Sequence, residues 1–326
     1  MDSRGQGMWH LWWRWVSWIV LILGMTSALA QGSKTLRFVV GYPPGGSGDF
    51  VTRTVGEAIA AELGVTAIID NRPGAAGNLA TEMVVKSTDA ATLLVAGNPY
   101  INKALYKKLN YDIEKDLIPI TRLANGPMVI AVNNQLPIHS ITELIAYAKK
   151  NPGKLNFASS GNGSAPHLSG ILFNSVADVD IVHVPFKGGA PAVQSIIAGD
   201  TQVIYGTSPV VLPQVRSGRI RALAITTADK SAAIPGVPGM KEAGLNDYDI
   251  SFTFGLYAPA GWSPSEVQKV FDAAVRALRR PDMAAKLATQ GMDPAPNPSV
   301  ADFKAANLRD APMWAKLISA SGAKVD

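Results

Sequence analysis

Short apolar runs rich in β-branched residues alternate along the chain with segments whose apolar positions repeat at helical spacing. The first run, 36–40, is typical of a buried strand, and the next segment repeats apolar residues at i, i+4, i+7 and i+8 from Val51. This alternation indicates βαβ units and a largely parallel sheet. Further strands are predicted at 66–69, 92–96, 128–132, 155–158, 181–184, 202–205, 220–225 and 252–258.

Capping signatures mark where two helices begin. Ser140 is followed by Glu143 at the spacing of a capping box. Residues 263–266, Ser-Pro-Ser-Glu, combine the same spacing with a proline in the first turn. Pro281 is expected to end this second helix, and two short helices are expected to complete the chain.

The strand predicted at 252–258 does not fit a simple division of the chain into two halves. We therefore expect the chain to cross back, so that 31–130 and 253–326 form one domain and 131–252 forms the other. The crossing segments, near 125–135 and 225–256, would then act as a hinge. The predicted fold class is α/β, with two βαβ domains and a ligand cleft between them.

The amino terminus has the features of an export signal. Arg4 and Arg14 make a basic start, 15–25 is nearly all apolar, and 28–30 reads Ala-Leu-Ala. Cleavage is expected before Gln31, which makes 1–30 a signal peptide. The alternative, a membrane anchor, needs about 20 apolar residues, and this run is shorter. The pattern therefore predicts a periplasmic protein.

Composition excludes several classes of function. The chain contains no cysteine, which excludes disulfides, thiolate catalysis, Cys-ligated metals and a lipid-attachment cysteine. We therefore expect a soluble protein without a lipid anchor. The net charge of +5 comes from scattered residues with no dense basic run, which argues against nucleic-acid binding. A mildly basic surface suits an anionic ligand.

Three predicted strand-to-helix junctions share a glycine-rich design, at 41–49, 159–167 and 184–191. Glycine lets the backbone approach a ligand closely, and the start of a helix offers unpaired N–H groups to a carboxylate or phosphate. A single loop of this kind is more often only a turn. Three loops at the carboxyl ends of predicted parallel strands favour a ligand crevice.

Known signatures of nucleotide binding and hydrolysis are absent from the sequence. There is no P-loop, no G-x-G-x-x-G, no G-x-S-x-G and no H-E-x-x-H. His183 is expected in the core, while His167 either contacts a ligand or braces its loop. Lys187 either pairs with a ligand anion or is a surface residue. The chain is therefore predicted to be a binding protein, with no catalytic residue, metal or cofactor.

Several segments carry a resemblance to a known family. They include 42–46 with Asp49, then 71–78, 183–192 and 217–224, in one colinear order along the mature chain. The chain resembles the Bug family of periplasmic solute-binding receptors of tripartite tricarboxylate transporters.

This resemblance implies a type II periplasmic-binding-protein fold and a small organic carboxylate held by the glycine-rich loops. It also implies delivery of that ligand to membrane permease subunits, by a receptor that acts as a monomer. A periplasmic sensor that feeds a signalling partner is the alternative. Asp49, with Asn98, is expected to support the site without touching the anion. The implied ligand-binding residues are Tyr42, Pro44, Gly45, Gly46, Ser47, Gly163, Ser164, His167, Phe186, Lys187, Gly188, Gly189 and Ala190.

Two positions depart from the family pattern. Gly206 stands where members commonly carry an aspartate, and Thr253 stands where many carry a tryptophan. A ligand amine would therefore have one acidic partner fewer. The sequence leaves open whether the ligand is a dicarboxylate, an aromatic acid or an amino acid.

Overall fold

The computed structural model describes residues 35–97 and 99–322, whose strands form one ten-stranded sheet. The predicted signal peptide at 1–30 and Asn98 lie outside the described residues. Within these ranges, no helix combines the length and apolar character needed to span a bilayer.

The strands occur close to the positions that the alternating pattern predicts. They are β1 Thr35–Val40, β2 Thr66–Asn71, β3 Thr92–Ala96, β4 Leu117–Asn133, β5 Asn156–Ser159, β6 Val182–Pro185, β7 Val203–Thr207, β8 Ile220–Ile225, β9 Ser251–Pro259 and β10 Asp293–Pro294.

The helices alternate with these strands. Helix α1 runs through Ser47–Val51, a π-helical turn at Thr52–Gly56 and Glu57–Leu63. The others are α2 Asn78–Val85, α3 Tyr100–Leu105, α4 Ile113–Asp116, α5 Ile141–Lys150, α6 Ala165–Ala177, α7 Gly189–Ala198, α8 Ser208–Arg216, α9 Pro264–Leu278, α10 Pro281–Ala288 and α11 Val300–Ser321.

The sheet is mixed, which corrects the expectation of a largely parallel one. Strands β2-β1-β3 are parallel to one another, and so are β7-β5-β6. Between these two groups lie β9 and β4, which pair antiparallel with each other and with their outer neighbours. Antiparallel strands at the centre therefore join two parallel βαβ groups.

Strand β4 is much longer than predicted. Only 128–132 has the continuous apolar pattern, whereas the observed strand begins at Leu117 and covers 17 residues. Its first part contains Pro119 and pairs with β9 through two register shifts, so alternation is lost there. Its last part, from Met128, pairs with β7 and β8. One strand thus pairs with β9 in its first part and with the second parallel group in its last part.

The expected return of the chain is seen in β9. This strand lies between β3 and β4, next to the first parallel group, although it follows β8 in sequence. The division into domains at 31–130 plus 253–326 and 131–252 stays a prediction.

Helix starts agree with the capping signatures. The Ser263 side chain accepts a hydrogen bond from the Glu266 N–H, and the Glu266 carboxylate accepts one from the Ser263 N–H. Ser140 accepts the Glu143 N–H in the same way. Helix α9 ends at Leu278 and is capped by Arg279, and Pro281 then begins α10. The expectation of a short final helix is wrong, because α11 covers 22 residues and contains Pro312.

A substitution in the second part of β4 tests whether the strand stabilises the sheet. Ile130 is fully buried, so Ile130→Ala should lower the free energy of unfolding by about 2–5 kcal/mol through lost burial and a cavity. Ile68→Ala is the control, since Ile68 lies on β2 with 45% of its surface exposed, and should cost less than about 1 kcal/mol. Urea unfolding followed by circular dichroism measures both. Equal costs would contradict the role given to β4.

Candidate functional site

A cavity of about 640 Å³ lies between the carboxyl ends of the two parallel strand groups. We call its two sides the first wall and the second wall, and β9 contributes its floor at 251–254. The first wall is built by the segments 41–48, 73–77, 96–97 and 99–106 with Trp314, and the second wall by the segments 159–166, 186–192 and 204–210. Most but not all residues of these segments line the cavity.

Hydrogen bonds to the Asp49 side chain fix the conformation of the loop after β1. Gly45 has a φ of 76°, and its N–H donates to an Asp49 carboxylate oxygen at 3.0 Å. Asp49 is buried and also accepts from Arg53 at 3.0 Å. Burial alone would raise the pKa of Asp49, but the hydrogen bonds from Arg53 and Gly45 hold it below its ordinary value. Asp49 thus supports the loop as a carboxylate and does not line the large cavity.

The loop after β5 is braced by a histidine. The Gly163 N–H donates to His167 Nδ1 at 3.1 Å, and Ser164 caps α6 by accepting the His167 N–H. His167 is only 2% exposed and does not line the cavity. Two roles were predicted for His167, contact with a ligand or support of its loop. The hydrogen bond from Gly163 is a contact of the second kind.

A second histidine supports the other end of the same loop. His183 Nε2 lies 2.6 Å from Ser159 Oγ, and the Gly161 N–H donates to that hydroxyl at 3.1 Å. The rings of His167 and His183 stack with centroids 3.9 Å apart. Burial lowers the pKa of His167 to about 4 and that of His183 to about 3, the latter also because His167 is adjacent. Both imidazoles are therefore neutral near pH 7.

The loop after β6 lies beside the first wall. Gly188 has a φ of 114° and caps α7 without a side-chain hydrogen bond. A side-chain carbon built on Gly188 would lie 3.3 Å from the ring of Pro43 on the first wall. The Phe186 N–H donates to the Ser159 carbonyl at 3.1 Å, which ties this loop to its neighbour.

Two further contacts join the walls. Ser47 Oγ lies 2.6 Å from Thr207 Oγ1, so one hydroxyl donates to the other. Leu105 packs against Gly163, where any side chain would collide with it. The two walls therefore touch at these positions.

Most of the predicted site residues meet at this cavity. Pro44, Gly45, His167 and Ala190 do not line it, and Gly45 instead borders a smaller cavity of about 330 Å³ beside Asp49 and Arg53. The nine that line it are Tyr42, Gly46, Ser47, Gly163, Ser164, Phe186, Lys187, Gly188 and Gly189.

Other lining residues were missed by sequence reasoning. Trp314 comes from α11, more than 100 residues after the glycine-rich loops, and nothing local marks it. The loop at 73–77 was part of the family resemblance but was not assigned to the site. Two of its residues, Ala75 and Ala76, have left-handed φ values of 48° and 52°, which is uncommon for alanine. That strain was a signal available only from the structure.

The two positions that depart from the family pattern both line the cavity. A side chain at Gly206 would collide with Val211 of α8, so the helix after β7 excludes an aspartate there. Thr253 lies on the floor. Among the described lining residues, Lys187 is the one charged side chain, and no carboxylate is present. The cavity therefore favours an anion over a cation.

The described residues contain no cluster of three or more His, Asp or Glu side chains that could hold a metal ion.

Comparison with known proteins relates this chain to one family. The model of the tripartite tricarboxylate transporter family receptor matches residues 51–322. Protein BugT of Bordetella pertussis is 31% identical over 310 residues, covering 93% of this chain and 94% of BugT.

Two solved structures extend the likeness to the fold. Rpa4515 of R. palustris with adipate has a TM-score of 0.84 and 28% identity, covering 90% of this chain and 98% of that one. MatC of Rhodopseudomonas palustris with bound malate has a TM-score of 0.80 and 29% identity, covering 87% of this chain and 99% of MatC. The predicted α/β periplasmic-binding-protein fold is confirmed.

The histidine pair predicts how stability depends on pH. In the unfolded chain a histidine gains its proton near pH 6.5, whereas folded His167 stays neutral to about pH 4. The unfolded state therefore binds more protons in this window, and the free energy of unfolding falls as pH drops from 6.5 to 4. His167 alone should contribute roughly 3 kcal/mol to that loss.

Urea titrations at several pH values between 4 and 7 measure this dependence. His167→Gln is the test variant, since an amide oxygen can still accept the Gly163 N–H but does not titrate. The variant should lose less stability between pH 6.5 and 4 than the wild type. The same loss in both proteins would show that His167 is not the group responsible.

Proposed function

The chain belongs to the tripartite tricarboxylate transporter family of receptors, and on that premise we propose that its cavity binds a small organic carboxylate for delivery to the membrane subunits of such a transporter. Members of the family are periplasmic solute-binding receptors. The observation that carries the proposal is the convergence of three helix-opening loops on one cavity.

The chemistry of the lining supports a carboxylate ligand. The loops after β1, β5 and β6 lead directly into α1, α6 and α7, and each helix start offers N–H groups to an anion. Lys187 adds a positive charge, and no lining carboxylate repels a negative one. Glycines at 46, 163, 188 and 189 allow the backbone to approach the ligand closely.

The ligands of two relatives support the same class. Rpa4515 was solved with adipate and MatC with malate, and both share the fold of this chain over most of its length. Each of these ligands carries carboxylate groups and no phosphate.

The proposed action is that of a clamp. Residues 31–130 with 253–326 form one domain and 131–252 the other, and the ligand stabilises the contacts between the walls. The paired hydroxyls of Ser47 and Thr207 lie in opposite proposed domains, as a latch on such a clamp requires. We propose further that the receptor is a periplasmic monomer that performs no catalysis.

Native mass spectrometry of the exported protein, purified without added acids, tests the ligand class. A closed clamp should retain its cellular ligand, and the adduct should be an organic acid. Calorimetry with adipate and malate then measures affinity directly. A nucleotide adduct, or no binding of any acid, would refute the proposed function.

Substitution of Gly188 tests the loop itself. Gly188→Val places a branched side chain at a φ of 114°, with its first carbon 3.3 Å from the Pro43 ring. We expect carboxylate affinity to fall at least about 100-fold, because the loop can no longer approach the ligand. Calorimetry measures the change.

The control is Gly218→Val. Gly218 also has a positive φ, 70°, but a side chain there meets nothing within 4 Å, and the position does not line the cavity. This variant should show backbone strain of about 1–2 kcal/mol, with unchanged affinity. If both variants bind as the wild type does, the loop after β6 is only a turn.

A further inference from the structure

Two polar residues, Asn102 and Tyr106, line the cavity where α3 forms part of the first wall. Asn102 lies within α3 and is 4% exposed, and Tyr106 caps the end of this helix. Tyr106 directly follows Leu105, which packs against Gly163 of the second wall. The two polar residues therefore belong to the part of the first wall that meets the loop after β5.

The hydroxyl of Tyr106 is buried and has no hydrogen-bond partner within the described chain. Such a group is unfavourable, because it loses contact with water and gains no protein partner in return. Burial also raises the pKa of Tyr106, so the hydroxyl keeps its proton and can donate it in a hydrogen bond. The residue is partly exposed and lines the cavity, so a ligand bound beside it can accept that hydrogen bond.

The other tyrosines that line the cavity differ from Tyr106. The Tyr42 hydroxyl accepts a hydrogen bond from the Gly97 N–H at 3.2 Å. The Tyr205 hydroxyl also lacks a partner within the described chain, but this side chain is fully buried and its ring packs against two phenylalanines. Among the described lining residues, Tyr106 is thus the tyrosine that combines partial exposure with an unpartnered hydroxyl.

The hydroxyl and the amide determine which ligand group suits this part of the cavity. Both can donate a hydrogen bond to an oxygen of a carboxylate, an amide or a hydroxyl group. An apolar group would leave the Tyr106 hydroxyl without a partner. An ammonium group would enter a cavity whose described lining contains no carboxylate to pair with it. The lining therefore favours an oxygen-bearing group beside Tyr106.

We propose that Tyr106 and Asn102 form a second polar subsite, which hydrogen bonds an oxygen-bearing group of the ligand in addition to the carboxylate on the glycine-rich loops. This inference rests on the proposed carboxylate-binding function and narrows it. The ligand then carries one carboxylate and, elsewhere, a further carboxylate, amide or hydroxyl group. Tyr106 determines specificity, because it contacts the group that distinguishes such a ligand from a plain aliphatic acid.

Calorimetry with acids of matched chain length tests the subsite. One set is adipate, 6-hydroxyhexanoate, hexanoate and 6-aminohexanoate, and the other is succinate, 4-hydroxybutanoate, butanoate and 4-aminobutanoate. In at least one set the diacid or the hydroxy acid should bind about ten-fold tighter than both the plain acid and the amino acid. If neither set shows this preference, the inference is wrong and carboxylate binding stands. No binding of any of these acids would overturn the proposed function as well.

Variants of the two residues test the assignment directly. Tyr106→Phe removes the hydroxyl and keeps the ring, so affinity for the preferred oxygen-bearing acid should fall about five- to ten-fold. Affinity for the plain acid of the same set should change less than about two-fold. Asn102→Ala should reduce the same preference. An unchanged preference in either variant would overturn the assignment of the subsite.

The melting temperature of the ligand-free protein provides an independent measurement. Tyr106→Phe should not lower it, because the hydroxyl makes no hydrogen bond within the described chain that the variant would lose. A lower melting temperature in Tyr106→Phe would mean that the hydroxyl already has a structural partner, and the inference would fail.

Tyr248→Phe is the matched control. The Tyr248 hydroxyl is buried and donates to the Ser169 carbonyl at 2.9 Å, and the residue does not line the cavity. This variant should lower the melting temperature and leave the preference between the acids unchanged. If it alters that preference as much as Tyr106→Phe does, the effect of Tyr106 is not a contact with the ligand and the subsite is refuted.

Discussion

The antiparallel pairing of β4 with β9 is the constraint on which the rest of the molecule depends. It runs from Leu117 with Pro259 to Pro127 with Ser251, and β4 then continues into the second parallel group. Because both strands pass between the groups, the loops at the carboxyl ends of each group face the same space. The end of β9 at 251–254 lies beneath that space as its floor. The cavity therefore exists because two crossing strands are hydrogen bonded to each other.

Within this frame, hydrogen bonds to polar side chains behind the cavity hold two of the glycine-rich loops in place. Asp49 supports the loop after β1, and His167 with His183 supports the loop after β5. These groups lie outside the cavity lining, so the site's shape depends on residues that the proposed ligand never touches. A rigid loop loses little entropy when it binds, which favours affinity.

Much of the fold could be predicted because its signals are local. Capping at Ser263 and the apolar run at 220–225 are properties of a few adjacent residues, and the structure agrees with both. The first part of β4 could not be predicted, because Pro119 and the register shifts break its alternation and pairing with β9 stabilises it. The glycine-rich loops were found by composition. Trp314 was not, because its place in the cavity depends on how α11 packs across two other helices.

The contacts that join the walls carry no charge. A hydroxyl pair links Ser47 to Thr207, and Leu105 packs against Gly163. Dissolved salt screens interactions between charges but leaves neutral contacts of this kind almost unaffected. The attraction of an anion to a chain of net charge +5 is screened. In a saline medium the attraction of an anion to the protein would therefore weaken, while the contacts between the walls would stay almost unchanged.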